Sequence, residues 1–168
     1  MPLYALQSGT EVHLIATLVL AALLGSLLGV NRSVNGKHAG MRTYALVSLG
    51  SCLFTLLSVL ASYELSAFSA VNPIQIAASI IIGVGFIGAG LAALPKLGSS
   101  EFSVEITTAS GVWVVAAIGM ACGFGLYTLA ITTTLIALVI FTFFARLERW
   151  LIMGWGPQLK APRKRTRK

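Results

Sequence analysis

The polar residues whose types and spacing could do chemistry are few, and most fall in two places. The segment Asn31-Arg-Ser-Val-Asn-Gly-Lys-His-Ala-Gly-Met-Arg42 carries Arg32, Lys37 and Arg42 between two apolar runs. A guanidinium there offers a forked donor to a carboxylate, a phosphate or another helix's carbonyls. Two readings stand for this segment. It is a basic turn that fixes membrane orientation, or Arg42, abutting Thr43 and the next apolar run, reaches into a helical bundle. Glu101, Glu105, Thr107 and Thr108 sit where a later apolar run begins. Acids and threonines suit an ordinary helix start. Glu105 could equally serve as a charge partner for Arg32, Lys37 or Arg42.

No nucleophile lies beside a base in either set, so catalysis is not expected. His13 and His38 have no second His or Cys nearby and read as bystanders rather than metal ligands. Cys52 and Cys122 fall inside apolar runs, are not expected to pair, and give no metal spacing. No cofactor is expected, and a metal is left unspecified. Gly83-Val-Gly-Phe-Ile-Gly-Ala-Gly90 matches G-x-G-x-x-G by letter. The dinucleotide reading needs a preceding strand, a following helix and an acid about 20 positions on. These glycines lie instead inside an apolar run. Gly83, Gly85, Gly88 and Gly90 are expected to permit close helix packing, or to line a path through a glycine-broken helix. Gly25-x3-Gly29 and Gly119-x3-Gly123 carry the same small-residue signature.

The elements that must position these residues follow from composition. Hydrophobic residues make up 57% of the 168, charged residues 10%, and mean hydropathy is +0.88. An ordinary soluble domain runs at about 45–50% apolar and about 25% charged. A soluble globular enzyme, a disordered chain and a collagen-like fibre are thereby excluded. The net charge of +7 does not point to nucleic acid, because the basic residues sit between and after apolar runs. Five runs approach the roughly 20 residues a spanning helix needs: Val12–Val30, Thr43–Ser62, Ile74–Leu94, Ile106–Tyr127 and Thr128–Ala145. None contains Lys, Arg, Asp or Glu. Strand-like alternation is missing, which disfavours a β-barrel. The residues before Val12 hold no Lys or Arg, unlike a signal peptide, so the first run is read as an uncleaved helix. The last two runs are divided by Gly119, Gly123 and Gly125, which place a turn near Cys122–Leu126.

The expected fold class is therefore all-α, an integral membrane bundle of five transmembrane helices. With the N-terminus outside and the C-terminus cytoplasmic, all 12 Lys and Arg fall in the cytoplasmic segments 31–42, 95–105 and 146–168. Glu11 and Glu64 are left outside. Residues 1–148 form the spanning domain, and 149–168 are expected to be a disordered basic cytoplasmic tail. Trp150 and Trp155 suit the interface.

Four motifs together resemble the membrane domain of the MgtC/SapB family. They are Leu24-Gly-Ser-Leu-Leu-Gly-Val-Asn-Arg32, Lys37-His-Ala-Gly-Met-Arg-Thr-Tyr-Ala-Leu-Val47 with Gly50, Gly83–Gly90, and Thr107-Thr-Ala-Ser-Gly-Val-Trp-Val-Val-Ala-Ala-Ile-Gly119 running on to Tyr127. The resemblance covers roughly residues 12–148. It implies a multi-pass protein of the bacterial inner membrane, associated with growth at low magnesium, survival inside host cells and acid resistance. For the virulence-associated branch it implies regulation of a partner such as the proton-translocating ATP synthase. Departures occur at Asn31, where the family usually has Glu, at Gln75, where it usually has Arg, and at Glu105, where it usually has Gly. Many members also carry a soluble C-terminal domain, and here only the basic tail is expected in its place.

The reading is a small regulator that acts through other membrane proteins or forms homo-oligomers, with the lipid bilayer as its medium. The alternative is a transporter or channel for magnesium, another cation or protons. Arg32, Lys37, Arg42, Thr43, Thr107 and Thr108 are taken as the functional polar cluster.

Overall fold

Polar residues and glycines punctuate the apolar runs, and each stop has a local cause. In the computed structural model, which describes residues 8–37, 39–65, 72–93 and 102–154, the helices are α1 Ser8–Val34, α2 Met41–Leu65, α3 Pro73–Ala93, α4 Phe102–Gly123 and α5 Tyr127–Val139. A π-helical turn, Ile140–Phe144, carries α5 into α6, Ala145–Gly154. Five of the segments are long and apolar enough to cross a membrane, as expected. No strand occurs among the described residues.

The α1–α2 and α4–α5 turns use the same device. Gly36 (φ 65°) and Gly125 (φ 76°) adopt the left-handed conformation that ends a helix. Around Gly36, the Lys37 N–H donates to the Arg32 carbonyl and the Gly36 N–H to the Ser33 carbonyl, both at 3.1 Å. Around Gly125, the Leu126 N–H donates to the Ala121 carbonyl at 2.8 Å and the Gly125 N–H to the Cys122 carbonyl at 2.9 Å. The turn expected at Cys122–Leu126 is thus present. Asn72 caps α3 by accepting from the Ile74 N–H at 3.0 Å, with Pro73 in the first helical position. One boundary differs from expectation. The loop expected from Asn31 begins only after Val34, so Arg32 belongs to the last turn of α1. The helix continues until Gly36 can close it. At the other end of the chain, α6 runs through residue 149, where the tail was expected to start, and residues 155–168 lie outside the described set.

Helix α4 is the centre of the bundle. Of its spanning window 56% is buried, against 6% for α3 on the periphery. Helices α1, α2 and α4 meet almost backbone to backbone, because the facing residues are small. A Cβ built on Gly25 would lie 2.6 Å from the Tyr44 carbonyl oxygen and 2.7 Å from the Ser48 Cβ. One on Gly29 would lie 2.5 Å from the Met41 Cα, and one on Gly123 would lie 2.6 Å from the Thr55 Cβ. A Cβ on Gly119 would collide with the Ser48 carbonyl oxygen. Both small-residue pairs read from the sequence therefore sit at close crossings. Cys52 and Cys122 are buried and free, so they do not pair.

At the end of the bundle where α1 begins, His13, Thr17 and Tyr127 tie α1 to α5. The Thr17 hydroxyl donates to the His13 carbonyl at 2.9 Å, which uses its one proton. The Tyr127 hydroxyl therefore donates to Thr17 Oγ1 at 2.9 Å and accepts from His13 Nε2–H at 3.0 Å. The Tyr127→Phe variant loses both bonds. It is expected to lower stability by about 1–2 kcal/mol, read as a fall in Tm in detergent. An unchanged Tm would show the tie to be idle.

Candidate functional site

At the opposite end, four elements converge on one buried cation. Arg32, on the last turn of α1, is only 5% exposed. Its Nη2 donates to Thr108 Oγ1 on α4. The Tyr44 hydroxyl on α2 donates to the Thr108 carbonyl at 3.1 Å. The Arg32 Cζ lies 4.8 Å from the centroid of the Phe141 ring, on the π turn. Gly111, one turn after Thr108, lets the group close up. A Cβ there would strike the Tyr44 hydroxyl and lie 2.8 Å from the Phe141 ring.

The electrostatics of this group are unusual. A guanidinium facing an aromatic ring gains about 2 kcal/mol when desolvated. It has no carboxylate partner among the described residues, and its buried Nε makes no hydrogen bond. The chain has no Asp, and the two glutamates with described side chains, Glu11 and Glu148, are both exposed. Positive charge accumulates at this end of the bundle, where Lys37 and Arg42 also lie. Glu11 belongs to the far end.

Among the residues expected to act together, Arg32 and Thr108 are joined directly. Lys37 is half-buried and closes the turn through its N–H to the Arg32 carbonyl. Thr43 is half-buried, and Thr107 lies on an exposed face of α4. Arg42 does not reach into the bundle, contrary to one of the two readings. It sits in the first turn of α2 with its side chain exposed. Two residues along a helix is a rotation of about 200°, so Arg42 points away from the face on which Tyr44 is buried. Glu105 lies three positions before Thr108 on α4, and its side chain, like Glu101 and His38, falls outside the described residues.

The glycines of α3 divide. Gly88 packs on α4, with its would-be Cβ 3.8 Å from that of Ala109. Gly83, Gly85 and Gly90 are exposed, and a Cβ on any of them would meet nothing within 4 Å. Gly83 borders an apolar groove of about 610 Å³ between α2 and α3, together with Gly50, Phe54, Ile80 and Ile87. Tyr44, Gly111 and Phe141 were missed as members of the site. Tyr44 and Gly111 fall within the quoted motifs and were legible there. Phe141 is one aromatic residue in an apolar run and carries no local signal. Among the described residues no group of three His, Cys, Asp or Glu could hold a metal ion.

Comparison with known proteins gives a consistent relationship. A model described as the MgtC family matches residues 18–150. Protein SrpB of Synechococcus elongatus is 37% identical over 157 residues, covering 89% of this chain and 86% of SrpB. The YhiD protein of Escherichia coli K12, whose name proposes it as a magnesium transporter, is 38% identical over 135 residues, 79% of this chain and 61% of YhiD. Protein MgtC of Brucella abortus is 36% identical over 129 residues, 76% of this chain and 50% of that protein. The chain thus spans most of SrpB but only about half to three fifths of the other two. No solved structure matches.

Proposed function

The chain belongs to the MgtC family, and from that premise we propose that it is a non-catalytic regulator in the bacterial inner membrane. It acts through other membrane proteins, or through further copies of itself, when magnesium is limiting or under acid or virulence stress. One observation carries this reading: the bundle is closed inside and open outside. The α1–α2–α4 interior is shut by backbone contact at Gly25, Ser48 and Gly119. A Cβ on any of the exposed glycines of α3 would meet nothing of the described chain within 4 Å. Each helix-interior glycine costs about 1 kcal/mol relative to alanine. At Gly25 or Gly119 that cost is offset within the chain by close packing. At Gly83, Gly85 and Gly90 an equivalent gain requires the helix of a partner.

The test is affinity purification from native membranes after mild cross-linking. The expected result is a stoichiometric membrane partner or a second copy, lost in Gly85→Trp while the yield of folded protein holds. A chain that purifies alone, with Gly85→Trp indistinguishable from it, would refute the proposal.

Transport of a cation or proton is the second reading, favoured by a line of hydroxyls on α2. Ser48, Ser51, Thr55 and Ser58 are all buried, and Ser48 Oγ has no partner. Against a conducting line, Thr55 and Ser58 donate to carbonyls of their own helix, each at 2.8 Å.

A further inference from the structure

A guanidinium taken out of water needs a negative charge, and Arg32 has none among the described residues. Its neighbours are all neutral: the Thr108 hydroxyl, the Tyr44 hydroxyl and the aromatic face of Phe141. Nε, a strong donor enclosed by protein, points at no acceptor. Buried polar groups in native proteins are almost always satisfied, and those of charged groups most of all. The nearby basic residues Lys37 and Arg42 raise the positive potential at the same end and would repel any further cation.

We propose that Arg32 is an anion-binding residue, and that the face of its guanidinium now covered by Phe141 takes a phosphate group once the ring moves aside. The chemistry is that of a forked donor on tetrahedral oxyanions. It is shared by free phosphate and by a lipid headgroup in the facing leaflet. Phe141 is the lid. Its ring covers the guanidinium and also touches the space over Gly111. It sits on the π turn, where the regular hydrogen-bond ladder is already interrupted and a helix readjusts most easily. Swinging this ring aside uncovers Arg32 without disturbing the α1–α2–α4 crossing. The site is independent of whether the protein has a membrane partner.

The experiment follows thermal unfolding of the purified chain in neutral maltoside micelles. In one arm inorganic phosphate is titrated against chloride at equal ionic strength. In the other, phosphatidylglycerol is titrated against phosphatidylcholine. A saturable rise in Tm is expected in at least one arm, weakened about tenfold or more in Arg32→Gln, the effect of losing a charge-assisted contact, and retained in Arg42→Gln. A response to inorganic phosphate identifies a free anion, and a response to the anionic lipid alone identifies a headgroup. No saturable rise in either arm, or an equal rise in Arg32→Gln, overturns the proposal. Should Arg32→Gln fail to fold, Phe141→Leu decides. Removing the lid is expected to shift the midpoint of the titration several-fold, and an unchanged midpoint overturns the assignment.

Discussion

Gly119→Leu is expected to abolish recovery of folded protein. The added side chain would have to occupy the space held by the Ser48 carbonyl, whose carbon would lie 2.9 Å and whose Cα would lie 3.0 Å from the new Cβ. A side-chain neighbour can rotate away, whereas a helix backbone cannot. Overpacking against side chains costs about 1–3 kcal/mol, and against backbone the cost lies at or beyond the top of that range. Relief would require α2 and α4 to separate. Gly25 presses on Ser48 from α1, so the separation would open the whole three-helix crossing. Monodisperse yield after size-exclusion chromatography in detergent is the measure. Gly85→Trp, on the open face of α3, is expected to give a wild-type yield in the same experiment. Equal yields from Gly119→Leu and wild type would mean that the crossing is looser than described.

Arg32→Met is expected to leave the fold intact and remove function. Replacing a buried charge by an apolar chain of similar length is often neutral or stabilising, by about 1–4 kcal/mol. Arg32 lacks a carboxylate partner among the described residues, so its removal strands no opposite charge there. The Tm of Arg32→Met is therefore expected at or above wild type. The same variant, at wild-type expression, is expected to fail to restore growth of a deletion strain at limiting magnesium. Arg42→Ala, exposed on the first turn of α2, is expected to change stability by no more than about 0.5 kcal/mol and to restore growth. If Arg32→Met unfolds, the guanidinium is a structural clamp and the functional assignment fails.

The bundle was legible because its helices are written in the most redundant code a sequence has: apolar runs of membrane-spanning length broken by charge or glycine. The turn near Gly125 was legible for a related reason, since three glycines interrupt an otherwise uncharged stretch. The end of α1 was misplaced by four residues because Asn31 and Arg32 are polar and look like loop. Gly36, the first glycine beyond them and the residue that closes the helix, held the better signal. That one boundary decided which arginine enters the bundle. The α3 glycines carry the same small-residue signature as Gly119 and Gly123, yet sequence cannot say whether the facing helix lies in the same chain. Phe141 joins the site from the π turn, an element with no residue-type signature.

The claim that the interior is closed is tested most directly by flux. Folded, purified protein in liposomes, followed for magnesium, potassium and proton movement, is expected to show no rate above protein-free vesicles for any of the three. Protein-dependent flux of any of them, diminished in Arg32→Met, would contradict the regulator account and establish transport.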